Sequence, residues 1–70
     1  MVTIEEIRKK LVEAIIQSGM KHSAIANALN ISPTMISQYI SGRAMPALDT
    51  FANLCKLLDV DTNDILCINE

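Results

Sequence analysis

The stretch HSAIANALNISPTMISQYISGR, residues 22–43, decides the fold of this chain. Its apolar residues recur at the spacing of one helix face. Asn30 interrupts this pattern, and asparagine is one of the few non-glycine residues that tolerate the left-handed backbone of a sharp turn. The stretch therefore predicts two short helices, one over about 22–29 and one over about 33–41.

The second of these helices has well-marked ends. Ser32 offers a hydroxyl N-cap and Pro33 takes the first helical position, while Gly42 marks the stop. Two short helices that cross steeply pack tightly only where the residues between them are small or branched. Such residues lie at the expected contact: Ala26, Ile31 and Ile36. We interpret the pair as a helix–turn–helix over about 22–41, whose second helix faces outward and fits the major groove of B-DNA.

The rest of the chain also shows helical spacing, and no segment alternates like a half-buried strand. Thr3 and Glu6 fit a capping box for a first helix over about 4–17. A fourth helix is expected over about 48–58, and a short fifth over about 62–67. The sequence therefore predicts a compact all-α bundle of five helices.

Helical spacing also assigns an inward face to the longer helices. We expect these residues to face the core: Ile4, Ile7, Leu11, Ala14 and Ile15 in the first helix; Ile25, Ala26 and Leu29 in the second; Met35, Ile36 and Tyr39, flanked by Ile40, in the third; Leu48, Phe51, Ala52, Cys55 and Leu58 in the fourth. The outer face of the third helix carries no charge and no large aliphatic side chain. It consists of Pro33, Thr34, Ser37, Gln38 and Ser41.

The charge of the chain is unevenly distributed along the sequence. The 70 residues carry a net charge of −2 and leave room for one small domain, 1–70, which excludes a multi-domain enzyme. Residues 1–45 hold five basic and three acidic side chains, whereas residues 46–70 hold one basic and five acidic. No acidic side chain lies between Ser18 and Leu48. This asymmetry permits an anionic partner on one side of the domain.

Several function classes lack the residues they need. Cys55 and Cys67 are far apart and His22 is the only histidine, so we expect no metal, no cofactor and no small-molecule substrate. Neither a carboxylate pair on a cleft nor a glycine-rich phosphate loop is present, so an enzyme is not expected. The sequence has no signal peptide and no apolar stretch long enough to span a membrane, so we expect a soluble protein of the reducing cytoplasm without membrane contact.

Most of the chain resembles a known family. Residues 7–66 are similar to the Cro/CI-type (Xre-like) helix–turn–helix regulators. The resemblance is carried by Gly19-Met20, Ile25-Ala26, Leu29-Asn30-Ile31-Ser32, Ile36-Ser37, Ser41-Gly42-Arg43, Pro46, Leu54, Leu57-Leu58, Val60 and Ile65-Leu66. It implies a λ-repressor-like domain that binds double-stranded operator DNA, usually as a symmetric dimer, to control transcription.

The resemblance also implies which residues meet DNA. The family's base-reading positions fall on Pro33, Thr34, Ser37 and Gln38. Its contacts to the DNA backbone fall on Lys21, His22, Ser32, Ser41 and Arg43. These roles suit the residue types, because a glutamine pairs with adenine N6 and N7, a threonine methyl contacts a thymine methyl, and helix N-termini attract phosphates.

The chain departs from the family pattern at several positions. Lys21 stands where the family often has a Ser or Thr cap, so Ser23 is expected to cap one turn later. Ile15 and Ile40 replace an Arg and a Glu that the family often pairs, which keeps the contact between the first and third helices apolar. Pro33 replaces a polar base-reading side chain. Few cations surround the reading face, so monomer binding is expected to be weak and salt-sensitive.

A dimer is therefore close to a requirement for a DNA-binding function. The candidate dimer surface is the apolar set Ile65, Leu66, Ile68, Met1 and Val2. Two alternatives keep the same fold. One is a protein-interaction module, such as an antirepressor or adaptor, and the other is the DNA-binding antitoxin of a toxin–antitoxin pair.

Overall fold

In the computed structural model, which describes residues 1–68, every regular element is a helix. The helices are α1 Ile4–Gln17, α2 His22–Leu29, α3 Pro33–Ser41, α4 Leu48–Leu58 and α5 Thr62–Ile65. The all-α prediction is confirmed, and α1 to α4 lie where the sequence predicts them. α5 is shorter than predicted because Leu66 caps it and Cys67 has a φ of 61°, which a right-handed helix does not continue. Residues 69–70 of the predicted domain lie outside the described residues.

α2, α3 and α4 end in the same way. Asn30, Gly42 and Asp59 take φ values of 58°, 83° and 55°, so the chain leaves each helix through a left-handed residue. The next amide then donates to a carbonyl near the end of the helix, from Ile31 to Ala26 at 2.9 Å, from Arg43 to Gln38 at 3.0 Å and from Val60 to Cys55 at 3.1 Å. These bonds satisfy carbonyls that the helix leaves open and fix the direction of the departing chain.

Side chains cap the N-termini of α1 and α5 but not the N-terminus of α3. Thr3 Oγ1 accepts from the Glu6 amide at 3.2 Å and donates to Glu6 Oε1 at 3.3 Å, so the predicted cap of α1 is present. Asp61 caps α5 by accepting from Asn63 N at 2.9 Å. Ser32 stands at the N-cap of α3, but its side chain makes no capping bond, so that part of the prediction is wrong.

The core is built from the inner faces of all five helices. Its buried members are Leu11, Ala14, Ile15, Ile25, Ala26, Ile36, Tyr39, Phe51, Leu54, Cys55 and Ile65. Ile40 packs against the cluster that contains Ile15, so the apolar replacements at these two positions join α1 and α3 in one core. On α3, Ile36 and Tyr39 are buried, and this anchors the helix with its other face outward.

Three residues predicted to face the core do not. Ile4 is 62% exposed and Leu48 is 86% exposed, because each is the first residue of its helix and lies beyond the edge of the core. Ala52 is exposed, and Leu54 takes the buried position on α4 instead. Apolar spacing thus identified the correct helices but extended their buried stripes too far.

Candidate nucleic-acid interface

The outward face of α3 carries the candidate base-reading residues. Pro33, Thr34 and Ser37 are exposed, and Gln38 is half-buried. Because Ile36 on the opposite side is fully buried, this helix cannot rotate without disturbing the core. The structure therefore presents a rigid, polar and uncharged surface of hydroxyl and amide groups, which is the type of surface that reads base edges.

α2 and α3 leave their N-termini open to an anion. Lys21 and Ser32 occupy their N-cap positions, yet neither forms a side-chain cap, and neither helix has an acidic residue in its first turn. Ser23 makes no capping bond either, so the expected cap one turn later is wrong. α1, α4 and α5 each carry at least one carboxylate in the first turn. Only α2 and α3 among the described helices thus keep uncompensated positive ends.

His22 and Lys21 lie at the open end of α2, where both side chains are exposed. The first amides of this helix have no intrahelical acceptor, as at any helix start. A phosphate placed there meets backbone N–H groups, the positive helix end and a lysine side chain together. The backbone-contact role that the family resemblance implies for this end stays a prediction.

The other end of α3 is fixed by a shared carbonyl. The Gln38 carbonyl oxygen accepts from Arg43 N at 3.0 Å, from Ala44 N at 3.3 Å and from the Ser41 hydroxyl at 3.2 Å. Arg43 is exposed and its backbone is held by this bond, so its side chain leaves from a defined point. The Ser41 hydroxyl would have to exchange its carbonyl partner for a phosphate, which makes Arg43 the stronger candidate of the two.

Arg8 is a neighbour of this site that the sequence reasoning missed. A methyl group added at Gly42 would lie 3.1 Å from Arg8 Nε, so the arginine side chain rests against the glycine that ends α3. The two residues belong to different helical segments far apart in sequence, and no local pattern signals their contact. Arg8 is half-buried, although it belongs to the exposed start of α1.

A cleft elsewhere on the domain is acidic. It has a volume of about 470 Å³ and lies between α1 and the segment that joins α4 to α5. Its charged lining residues are Lys10, Glu13, Asp59, Asp61 and Asp64. Since Lys10 faces these carboxylates, a phosphate is repelled from its surroundings. Lys10 therefore lies in acidic surroundings, which makes it a weaker candidate for a phosphate contact than Lys21 or Arg43.

The apolar surface differs from the predicted dimer surface. Ile65 is only 5% exposed and belongs to the core, so its assignment to a dimer surface is wrong. Leu66 is half-buried, while Met1, Val2 and Ile68 are exposed. Leu66 lines an apolar groove of about 170 Å³, which we call the Leu48 groove. Its other lining residues are Ile4, Ile7, Met45, Pro46, Leu48 and Phe51.

The cysteines lie inside the domain and not on a functional surface. Cys55 and Cys67 are free and buried. Burial raises the pKa of the Cys55 thiol, and a hydrogen bond with Thr62 partly opposes this. Within residues 1–68, no group of three metal-ligating side chains is placed to hold a metal ion. No helix in the same range combines the length and apolarity that crossing a membrane requires.

Comparison with known proteins gives one match. A family model described as helix-turn-helix matches residues 4–65. The match runs from the first residue of α1 to the last residue of α5 and so includes every described helix. No curated protein and no solved structure matches the chain.

Proposed function

This chain belongs to the Cro/CI-type helix–turn–helix family, and we propose that it represses transcription by binding operator DNA as a dimer. The family is one of DNA-binding regulatory domains and not of enzymes. In this proposal α3 enters the major groove of each half-site, and the bound dimer blocks access to a promoter. We propose the reducing cytoplasm as its location, because DNA and reduced cysteines occur together there.

One observation carries the proposal: the exposed face of α3 is polar, uncharged and anchored by a buried opposite face. Gln38 is the residue of this face best suited to direct readout, because its amide pairs with adenine N6 and N7. Thr34 and Ser37 complete the reading surface with small hydroxyls that let the helix approach the bases closely. Pro33 lacks a polar side chain and contributes an apolar contact, for which a thymine methyl is the fitting partner.

Backbone contacts supply the rest of the affinity. Phosphates are expected at the open N-termini of α2 and α3, near Lys21, His22 and Ser32, and at the far end of α3, near Ser41 and Arg43. Such contacts orient the protein without reading the sequence. Because few of these groups are cationic, one subunit binds weakly, and two subunits with recognition helices about 34 Å apart are needed.

We place the dimer interface on the Leu48 groove. Leu48 and Ile4 are large, apolar and exposed, and Ile68 is 60% exposed. Among residues 1–68, no charged side chain lines the groove, which suits a self-complementary contact across a two-fold axis. Of the predicted dimer surface, Leu66 lines this groove, whereas Met1, Val2 and Ile68 are exposed outside its lining and Ile65 belongs to the core.

The test is fluorescence anisotropy with duplex DNA from the region upstream of the protein's own gene. A scrambled duplex of the same length serves as the control, and both are titrated at several salt concentrations. The proposal predicts preferential binding to the upstream duplex and an affinity that falls steeply with salt. Equal affinity for both duplexes contradicts an operator-binding role.

The acidic cleft favours a second candidate function. Four carboxylates line it: Glu13, Asp59, Asp61 and Asp64. Such a surface suits a basic segment of a partner protein. A protein-interaction module, such as an antirepressor or adaptor, would bind neither duplex while remaining folded. A DNA-binding antitoxin would bind its own upstream DNA and also a toxin encoded by an adjacent reading frame. Co-purification with that neighbour separates the antitoxin from the simple repressor.

A further inference from the structure

The side chain of Arg8 crosses from α1 to the end of α3. A methyl group at Gly42 would lie 3.1 Å from its Nε, 3.2 Å from its Cδ and 3.3 Å from its Cζ. The end of the arginine, and not only its aliphatic stem, therefore lies against this turn. A side chain at position 42 would press on the end of the arginine, which would have to shift slightly, and would also have to adopt a φ of 83°, which favours glycine.

The guanidinium of Arg8 lies against Gly42, and no described residue uses its N–H donors. Within residues 1–68, no hydrogen bond or ion pair engages Arg8, although its side chain is half-buried. α3 has no basic residue of its own in its last turn. Because Arg8 lies against Gly42, the C-cap of α3, it brings a positive charge to the negative end of that helix. This attraction positions the guanidinium and leaves its N–H groups available to an external acceptor.

The surroundings favour an anion at this point. Arg43 follows Gly42 directly, so two arginines meet at one turn. The segment from Ser18 to Leu48 contributes no carboxylate to neutralise them. On the α1 side, Arg8 shares a shallow groove with Lys9 and with three carboxylates, Glu5, Glu6 and Glu13, which are the competing acceptors. A guanidinium matches the geometry of a phosphate better than an ammonium does, because its N–H groups form a planar fork.

We propose that Arg8 is a DNA-backbone contact, which binds a phosphate beside the one bound by Arg43 at the end of α3. This inference rests on the proposed DNA-binding function and adds to it a residue outside the helix–turn–helix. The contact supplies affinity and fixes how the domain sits on the duplex, and it carries no base preference of its own.

Arg8→Gln tests the proposal in the same anisotropy titrations with upstream and scrambled duplexes. Removing one phosphate contact should reduce the slope of log K against log salt by about 0.9 per subunit. The affinity for both duplexes should fall by the same factor, which leaves their ratio unchanged. Arg8→Lys should keep the slope, because it keeps the charge. Lys10→Gln is the matched control. It also removes one positive charge from α1, but Lys10 lines the acidic cleft, so the slope should stay unchanged.

Different outcomes identify different failures. If Arg8 only holds α3 in position, Arg8→Gln will lower the ratio between the two duplexes and the melting temperature while the salt slope stays as in the wild type. That result overturns the phosphate contact alone. If the wild type binds neither duplex, the proposed function fails and this inference fails with it. Arg8→Met, which keeps the apolar stem, repeats the test if the glutamine variant melts below the assay temperature.

Discussion

The helix–turn–helix and the C-terminal pair of helices use their surfaces in opposite ways. α2 and α3 expose hydroxyls, an amide and open helix N-termini, with no carboxylate from Ser18 to Leu48. α4 and α5 expose carboxylates, and Leu48, Phe51 and Leu66 contribute to an apolar groove. A net charge of −2 hides this division. The comparison teaches that one domain of 70 residues can present an uncharged polar surface and a separate acidic and apolar surface when charge is segregated by segment.

The largest expected effect is that of a substitution in the Leu48 groove. Leu48→Ser should weaken the dimer by about 2 kcal/mol or more, roughly 30-fold in Kd, because an isologous interface loses the side chain twice. Leu48 is 86% exposed in the single chain, so the free energy of unfolding of the monomer should change by less than about 0.5 kcal/mol. Sedimentation equilibrium measures the first quantity and thermal unfolding the second.

Ile16→Ser is the matched control for this variant. Ile16 is also large, apolar and exposed, but it does not line the Leu48 groove. Its replacement should leave the dissociation constant of the dimer unchanged. An equal effect of both variants, or none from Leu48→Ser, would remove the dimer interface from this groove.

On the polar side, Gln38→Ala should change sequence preference. Discrimination at one base pair should fall by about 1–3 kcal/mol, because the amide no longer pairs with its base. Anisotropy against a panel of operator duplexes with single base-pair changes measures this. Asn53→Ala is the control, since it removes an exposed amide from α4, away from the reading face. A uniform loss across the panel would show that Gln38 does not read a base.

The sequence predicted most of the fold because local signals mark it. Asn30 predicts a left-handed turn after α2 and Gly42 predicts the end of α3, and the structure confirms both. Asp59 ends α4 in the same conformation without a comparable signal, since aspartate also fits many other positions. Ile4 and Leu48 were assigned to the core because helical spacing defines a face but not where along the helix the core stops.

The candidate site was predictable only in part, for a related reason. The outward direction of Thr34 and Ser37 follows from the buried opposite face of their own helix, which the sequence shows. The contact between Arg8 and Gly42 joins residues that only the packing of α1 against α3 brings together. Spacing along a chain carries no information about such pairs. The contact of Arg8 with the end of α3 is therefore seen only in three dimensions.

Removing one cation from each of the two regions should have different but smaller effects on DNA binding. Arg43→Ala should weaken binding to every duplex and reduce the salt slope by about one per subunit, because one phosphate contact is lost. Lys56→Ala removes an exposed cation from the acidic half, in the last turn of α4, and should leave the slope unchanged. Anisotropy titrations at several salt concentrations compare the two. If Lys56→Ala reduces the slope and Arg43→Ala does not, the DNA contacts the end of α4 instead of the end of α3.

The smallest effect tests whether the acidic half acts on DNA at all. Asp59→Asn removes one negative charge from the acidic cleft, and asparagine tolerates the left-handed conformation that Asp59 adopts, with φ 55°. If the cleft lies away from the duplex, DNA affinity should rise by less than about twofold at low salt. The gain should vanish near 0.5 M salt, where the Debye length falls below about 5 Å, so the salt slope should become only slightly steeper than that of the wild type. A larger gain that persists in high salt would place the cleft against the DNA backbone, and the division between the two regions would fail. A loss of binding to a basic protein partner, with DNA affinity unchanged, would instead give the acidic half a function of its own.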